Sequence, residues 1–148
     1  MRLGLISCTR SKQNRRCKAS EMYAPSSLFR AAYNYVTKNY DAVAILSAKY
    51  GLLLPDDEIE PYELTLKTMT NQQRKLWAEK VVNQLEKRIG LQKIKECYFH
   101  TGKEYREHLI PLLQNAGIKC YVPLKGLSIG KQIQWYKTRH SSPSISNF

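Results

Sequence analysis

The sequence lacks the long apolar runs that membrane spans and secretory signals require. No run of about eighteen apolar residues occurs in the 148 residues. The opening MRLGLIS is followed by basic residues and not by a small-residue cleavage site, which argues against a secretory signal. We therefore expect a cytoplasmic protein without a membrane partner.

Cysteine and histidine are also scarce. The chain has four cysteines, none in a C-x-x-C pair, and three histidines. So few scattered cysteines do not predict a disulfide framework, and no histidine has the spacing from a cysteine or carboxylate that a metal site needs. Cys97 and Cys120 fall in apolar strand segments, where we expect core thiols. We predict no metal and no other cofactor.

Acidic residues are outnumbered, and two phosphate-binding motifs are missing. The 24 Lys and Arg face only 12 Asp and Glu, for a net charge of +12. Neither G-x-x-x-x-G-K-[ST] nor G-x-G-x-x-G occurs, which argues against P-loop and Rossmann nucleotide binding. The charge favours a polyanionic partner but does not by itself distinguish DNA, RNA and nucleotide, and a basic surface without a specific ligand is the alternative. Among nucleic acids we expect DNA ahead of RNA as the partner.

Residues 41–66 carry the densest polar and aromatic pattern of the chain. The apolar run 42–46 predicts a strand buried on both faces of a parallel sheet. Ligands bind beyond the carboxyl ends of such strands, and the candidates there are Ser47, Lys49, Tyr50 and Gly51. Two prolines within 52–66 predict an extended, ordered loop across the end of the sheet, with Tyr62, Glu63 and Thr65 as further candidates. A solvated acidic loop is the alternative.

The remaining pattern predicts alternating strands and helices. Strands are expected at 3–7, 94–100 and 119–122. Helices are expected from Pro25 or Ser26 onward, from Thr70 to Gly90, over 103–115, and after Gly130. The apolar face of the second helix is predicted to include Leu76 and Trp77. The predicted fold is a single three-layer α/β/α domain over 1–138 with a mainly parallel four-stranded sheet. Residues 139–148 are predicted to be a flexible tail.

The loop after the first strand is strongly basic. Ser7 and Cys8 end the strand and Lys12 follows, which places them at the predicted ligand-binding edge. Candidate contacts to a nucleic-acid backbone are Arg10, Arg15, Arg16 and Lys18. A flexible basic loop without a ligand is the alternative. For Cys8 a pocket wall is favoured over a nucleophile, and the acidic and basic loops could also pair two subunits.

Two later loops complete the predicted site. Gly102 follows the third strand, and Tyr105 and Arg106 would lie at a helix amino end, which suits an anion. Gly126, Gln132 and Trp135 belong to the last loop and helix. His100 is at least as consistent with a structural role as with a ligand-binding one.

The string S-A-K-Y-G-L-L, followed by P and I-x-P-Y-x-x-T-L, resembles the signature of a bacterial and phage domain family of unknown function. It is more distantly similar to the YaaA peroxide-stress proteins, which implies DNA binding. The resemblance extends over nearly the whole chain and implies pocket roles for Tyr23 and Arg106. The family more often has Asp where this chain has Glu63.

The predicted topology resembles the uracil-DNA glycosylase architecture, although the motifs of that fold are not present as such. Aromatic residues that could stack on an extruded base are Tyr23, Tyr50, Tyr62, Tyr105 and Trp135. The first hypothesis is a glycosylase-like protein in which Lys49 neutralises the departing base or binds a phosphate, and Glu63 orients water or holds a sugar cation. Two alternatives remain: a non-catalytic nucleic-acid-binding module, and an enzyme acting on a free nucleotide or small phosphorylated metabolite.

Overall fold

The computed structural model describes residues 1–140 and contains seven strands within that range. They are β1 (Arg2–Ser7), β2 (Cys17–Lys18), β3 (Ala42–Ser47), β4 (Gly51–Leu53), β5 (Glu58–Ile59), β6 (Glu96–His100) and β7 (Lys119–Tyr121). The main sheet has the order β4-β3-β1-β6-β7, and β2 pairs with β5 in a separate two-stranded ribbon. The predicted α/β fold is therefore confirmed.

The main sheet has one strand more than the sequence predicted. Strands β3, β1, β6 and β7 are parallel, whereas β4 pairs antiparallel with β3 at one edge. The prediction missed β4 because residues 52–66 were interpreted as loop. Gly51 has φ 76°, a conformation that glycine adopts easily, so the chain reverses at once and Leu52 and Leu53 pair back onto β3.

Five helices of the described chain cover the two faces of the sheet. They are α1 (Ala19–Met22), α2 (Ser27–Asn39), α3 (Asn71–Arg88), α4 (Leu109–Asn115) and α5 (Ile129–His140). Leu3 and Leu5 of β1 pack into the core formed with α3 and α4. Ile6 packs on the opposite face, with α2 and α5. At Gly4 a Cβ would collide with Val36, so α2 lies directly on the backbone of β1.

The start of α3 follows the prediction, but one residue of its predicted apolar face does not. The Thr70 side chain accepts from the Gln73 N–H and the Gln73 side chain accepts from the Thr70 N–H, which completes the capping box. Leu76, however, is 55% exposed. The buried face is formed by Trp77, Ala78, Val81 and Leu85, whose three-and-four spacing turns residue 76 outward.

The helix predicted over 103–115 is wrong in its first half. Lys103–Tyr105 form a single 3-10 turn, and α4 begins only at Leu109. Pro111 therefore lies in the first turn of α4, where proline is tolerated; a helix from residue 103 would have placed it in the interior. Arg106 precedes the helix, so the predicted anion site at a helix amino end after Gly102 is not formed.

The β2–β5 ribbon joins the basic loop to the acidic loop within one chain. Arg16 lies 3.3 Å from a Glu58 carboxylate oxygen and 3.2 Å from one of Glu60. Lys18 pairs with Asp56 at 3.7 Å. The two loops that were considered as a contact between subunits therefore neutralise each other inside the molecule.

Helix α5 crosses the predicted boundary between the domain, 1–138, and the tail, 139–148. Helix α5 continues through residue 140, so Arg139 is helical. The rest of the predicted tail, 141–148, lies outside the described residues. None of the helices within residues 1–140 combines the length and the apolar content that crossing a membrane requires.

Candidate functional site

Six of the predicted site residues meet at the carboxyl ends of β1, β3 and β6. We call this group the strand-end cluster; its members are Cys8, Lys12, Tyr23, Ser47, Tyr62 and Tyr105. They come from four separate segments of the chain. They meet because the parallel strands deliver their following loops to the same edge, as the sequence predicted.

A chain of hydroxyl groups forms the base of the cluster; we call Ser47, Tyr62 and Tyr23 the Ser47 network. The Ser47 Oγ lies 2.7 Å from the Tyr62 hydroxyl, which lies 2.6 Å from that of Tyr23. The Ser47 Oγ also accepts from the backbone N–H groups of Lys49 and Tyr50. Both of its acceptor positions are thus used, so Ser47 donates to Tyr62, and Tyr62 donates to Tyr23.

Two side chains of α3 hold the end of β3 in place. The Trp77 indole N–H donates to the Ser47 carbonyl at 2.9 Å. Gln84 donates to the Tyr50 carbonyl and accepts from the Leu52 N–H, at 3.0 and 2.8 Å. A Cβ at Gly51 would collide with the Gln84 amide, so Gly51 serves the turn itself. The sequence predicted Trp77 as core, but contained no signal for Gln84, which is brought here by the tertiary fold.

Lys12 is the cation of the cluster. Its Nζ lies 4.7 Å from the ring centre of Tyr62 and 6.0 Å from that of Tyr23. Partial burial lowers the pKa of Lys12, and the neighbouring Cys8 and Glu63 oppose that shift. Lys12 is therefore a partly desolvated ammonium group with a thiol and a carboxylate nearby.

Glu63 differs from the other acids of its loop. Asp56, Asp57, Glu58 and Glu60 each form an ion pair, with Lys18, Arg88 or Arg16. Glu63 has no ion pair within 4.0 Å in the part of the chain that the structure describes, and its charge acts on Lys12. It is the carboxylate of this loop that remains available to a ligand.

Cys8 lies on the other side of the cluster. Its thiol donates to the Tyr105 hydroxyl, with 3.2 Å between sulfur and oxygen. Burial raises the pKa of Tyr105, whose hydroxyl also interacts with the Thr65 side chain and the Leu66 backbone. Tyr105 therefore stays protonated at neutral pH, and both interpretations of Cys8, pocket wall and nucleophile, stay predictions.

The buried tyrosines do not present open ring faces. Tyr23 has no exposed surface and Tyr105 is 5% exposed, because their rings belong to the cores and their hydroxyls bond within the cluster. Burial raises the pKa of Tyr23 and Tyr62, so both hydroxyls remain protonated. Tyr50 and Tyr62 are partly buried and pack edge to face. Base stacking on Tyr23 would require this arrangement to open.

Three other predicted residues lie outside the cluster. Lys49 is exposed, with its Nζ 5.3 Å from the ring centre of Tyr50. Gly126 has φ 84°, and nothing lies within 4 Å of a Cβ built there. Trp135 packs against Tyr35 of α2, with ring centres 5.0 Å apart, on a helical layer of the domain. The loop and helix after β7 thus contribute to a different surface.

A cleft of ≈ 160 Å³ lies on that surface, beside segment 101–106. The predicted residues Gly102, Arg106 and Gln132 line it, together with Thr101 and Lys103. The Gly102 N–H donates to the Ser7 Oγ at 3.2 Å. Ser7 therefore connects the wall of the cleft to the end of β1, directly before Cys8.

His100 belongs to a second polar group, which we call the His100 network: His100, Tyr40 and Tyr136. The Nε2 lies 2.9 Å from the Tyr40 hydroxyl, and the Nδ1 lies 2.7 Å from that of Tyr136. Burial lowers the pKa of His100 to about 4, so the imidazole is neutral at neutral pH. Both ring nitrogens therefore have partners, as in a structural histidine, and the residue also lines the cleft described above.

The predicted backbone-binding cations divide into two pairs. Arg16 and Lys18 are engaged with carboxylates of the acidic loop. Arg10 and Arg15 are exposed, and within residues 1–140 neither has a carboxylate in ion-pair distance. Only Arg10 and Arg15 are therefore available to phosphates without breaking an existing pair.

Comparison with known proteins gives a family but no activity. The model of a family of unknown function (DUF6884) matches residues 3–138. This range includes every residue of the strand-end cluster and of the cleft. No curated protein matches the chain.

Proposed function

The chain belongs to this family of unknown function, DUF6884, and we propose from its own site that it acts on nucleic acid as a glycosylase-like enzyme. In this proposal a base or nucleotide is captured at the carboxyl ends of β1, β3 and β6. The observation that supports it most is the position of Lys12: it is partly buried, lies over the ring of Tyr62, and has Glu63 as a neighbouring carboxylate that is free of ion pairs within the described residues.

The proposed reaction is hydrolysis of an N-glycosidic bond. Water adds to the anomeric carbon, the bond from carbon to the base nitrogen breaks, and its electron pair leaves with the base, which takes up a proton. The ionised Glu63 balances the positive charge that develops on the sugar; it then takes the proton of the adding water, and that proton passes to the departing base. Lys12 neutralises the negative charge that develops on the departing base.

Lys12 suits this role better than Lys49, to which the sequence assigned it. Electrostatic stabilisation grows as the surrounding dielectric falls, so a partly buried ammonium acts more strongly than an exposed one. Lys49 in turn lies on the outer surface, over Tyr50, where it could bind a phosphate.

Base release from DNA tests this proposal. Labelled single-stranded and duplex oligonucleotides carrying normal, deaminated or alkylated bases are incubated with the protein. Released bases are measured by mass spectrometry, and the abasic sites left in the strand are measured by their cleavage in alkali.

We expect Glu63→Gln to reduce the rate by about 100-fold or more. Lys12→Gln should cost far more activity than Lys49→Gln. The control Glu60→Gln changes an acid of the same loop that is already paired with Arg16, and should retain activity. Equal rates in all four variants would refute the assigned roles.

A non-catalytic nucleic-acid-binding module is the second candidate. It is favoured by the buried faces of Tyr23 and Tyr105, which leave little room for an extruded base. It predicts binding without any released base.

A titration of DNA binding against salt tests this candidate. Arg15→Gln should reduce the slope of the logarithm of the binding constant against the logarithm of salt concentration by about 0.9, the contribution of one phosphate contact. Arg16→Gln should reduce it less, because Arg16 is already neutralised by two carboxylates. A complete absence of binding at low salt would exclude both candidates.

A further inference from the structure

The cleft beside segment 101–106 is polar and carries positive charge. Lys103 and Arg106 both line it. The Arg106 Nη1 donates to the Thr101 carbonyl at 2.7 Å, which fixes the guanidinium against the wall. Neither side chain has a carboxylate in ion-pair distance within residues 1–140. Glu104 lies beside Gly102, but it is not among the residues that line the cleft.

An unsatisfied hydroxyl marks the same wall. The Thr101 Oγ1 is buried and has no hydrogen-bond partner within the described chain, and it is the only such side-chain atom there. Leaving a buried hydroxyl without a partner costs free energy, so a group of this kind calls for an explanation. Thr101 lines the cleft, so a rotation of its side chain about χ1 would present the hydroxyl to an acceptor bound there.

Segment 101–106 separates the cleft from the strand-end cluster. Tyr105 faces the cluster and accepts from the Cys8 thiol, whereas Lys103 and Arg106 face the cleft. The Gly102 N–H is bound to Ser7, the residue before Cys8. The two sites are therefore adjacent, with this one segment between them.

We propose that the cleft is a phosphate subsite. An oxyanion with several acceptor oxygens matches the donors of the residues that line it: the Arg106 guanidinium, the Lys103 ammonium and, after rotation of its side chain, the Thr101 hydroxyl. The adjacent cluster then receives the sugar or base of the same ligand, so the substrate class is a nucleotide or a nucleic-acid phosphodiester. This second step rests on the proposed function, whereas the phosphate subsite does not.

Titration of the isotope-labelled full chain with inorganic phosphate at constant ionic strength tests the subsite. We expect saturable shifts of the Gly102, Lys103 and Arg106 backbone amide resonances. Arg106→Gln should weaken phosphate binding by about tenfold or more, because a charge-assisted hydrogen bond is lost. The control Lys87→Gln removes an exposed cation of α3 and should leave the affinity unchanged.

Arg106→Gln also removes the hydrogen bond to the Thr101 carbonyl and could disturb the fold. Thr101→Val is therefore a second, independent test of the subsite. This variant removes a hydroxyl that has no hydrogen-bond partner within residues 1–140, so its unfolding temperature should be equal or higher. Its phosphate affinity should nevertheless fall by about threefold to tenfold. Unsaturable shifts, or an unchanged affinity in both Thr101→Val and Arg106→Gln, would overturn the subsite.

A nucleoside and its 5′-monophosphate extend the test to the substrate class. The monophosphate should bind more tightly, and Arg106→Gln should remove most of that difference. Phosphate binding that depends on Arg106, without any base release, would leave the subsite standing and refute the glycosylase-like function. Base release that depends on Glu63, with phosphate binding insensitive to Arg106, would refute the subsite alone.

Discussion

The Ser47 network and the His100 network use the same chemistry in different surroundings. In each, a middle side chain bonds two others: Tyr62 lies between Ser47 and Tyr23, and His100 lies between the hydroxyls of Tyr40 and Tyr136. The Ser47 network lies beneath Lys12, whose neighbours are Cys8 and Glu63. The His100 network is enclosed by aromatic rings, among them Tyr35 and Trp135. The candidate site therefore differs from a structural network in the ammonium, thiol and carboxylate groups beside the Ser47 network, and not in the bonded hydroxyls themselves.

The largest effect is expected when the His100 network is broken. His100→Leu leaves the Tyr40 and Tyr136 hydroxyls without their partner, and each orphaned group costs about 1–3 kcal/mol. The free energy of unfolding, measured in urea, should fall by about 2–5 kcal/mol. A stable but inactive His100→Leu variant would move His100 into the functional site.

The next effect is a dependence of stability on pH that belongs to the His100 network. The pKa of His100 is lowered by burial to about 4, below its ordinary value of 6.5, so the unfolded chain binds the proton first as the pH falls. Stability should therefore decrease as the pH falls from 6.5 towards 4, by about 2 kcal/mol at pH 5. Tyr40 and Tyr136 do not titrate in this range, because burial raises their pKa values. Urea unfolding at several pH values measures the trend, and its persistence in His100→Leu would assign it to other groups.

The smallest effect on stability separates the networks most sharply. Tyr62→Phe removes the bonds to Ser47 and Tyr23 and should cost about 1–2 kcal/mol. Tyr136→Phe removes one bond to His100 and is the matched control. We expect only Tyr62→Phe to lower base release or DNA binding, measured at a temperature where both variants are folded. Equal activity losses in both would mean that stability alone explains them.

The meeting point of the strand-end cluster could be predicted from the sequence, because the rule behind it is topological. Short apolar runs identified the parallel strands, and their carboxyl ends had to share an edge. Ser7, Cys8, Ser47 and Gly102 were thereby placed close together before any contact was known. The Thr70 capping box was equally local, and the structure contains it as predicted.

What could not be predicted depends on contacts between distant segments. The buried hydroxyl of Tyr23 has its partner in Tyr62, which is bonded in turn to Ser47, and no local pattern reveals these contacts. The same holds for Gln84, which fixes a turn more than thirty positions away. The late start of α4 is different, because the sequence does contain a signal for it. Pro111 is tolerated in the first turn of a helix but not in its interior, whereas the apolar periodicity alone predicts a helix from residue 103.

The hydrogen bond from Trp77 to the Ser47 carbonyl also equips the protein with an optical probe. The emission of an indole depends on its hydrogen bonding and on the polarity around it, so a ligand that shifts the end of β3 changes the fluorescence of Trp77. The other tryptophan, Trp135, packs beneath Arg139 with 3.9 Å between its ring centre and the guanidinium carbon, on the helical layer of α2 and α5. In a Trp135→Phe variant, Trp77 is the only tryptophan, so its fluorescence emission reports ligand binding at the strand-end cluster without labelling the protein or the ligand.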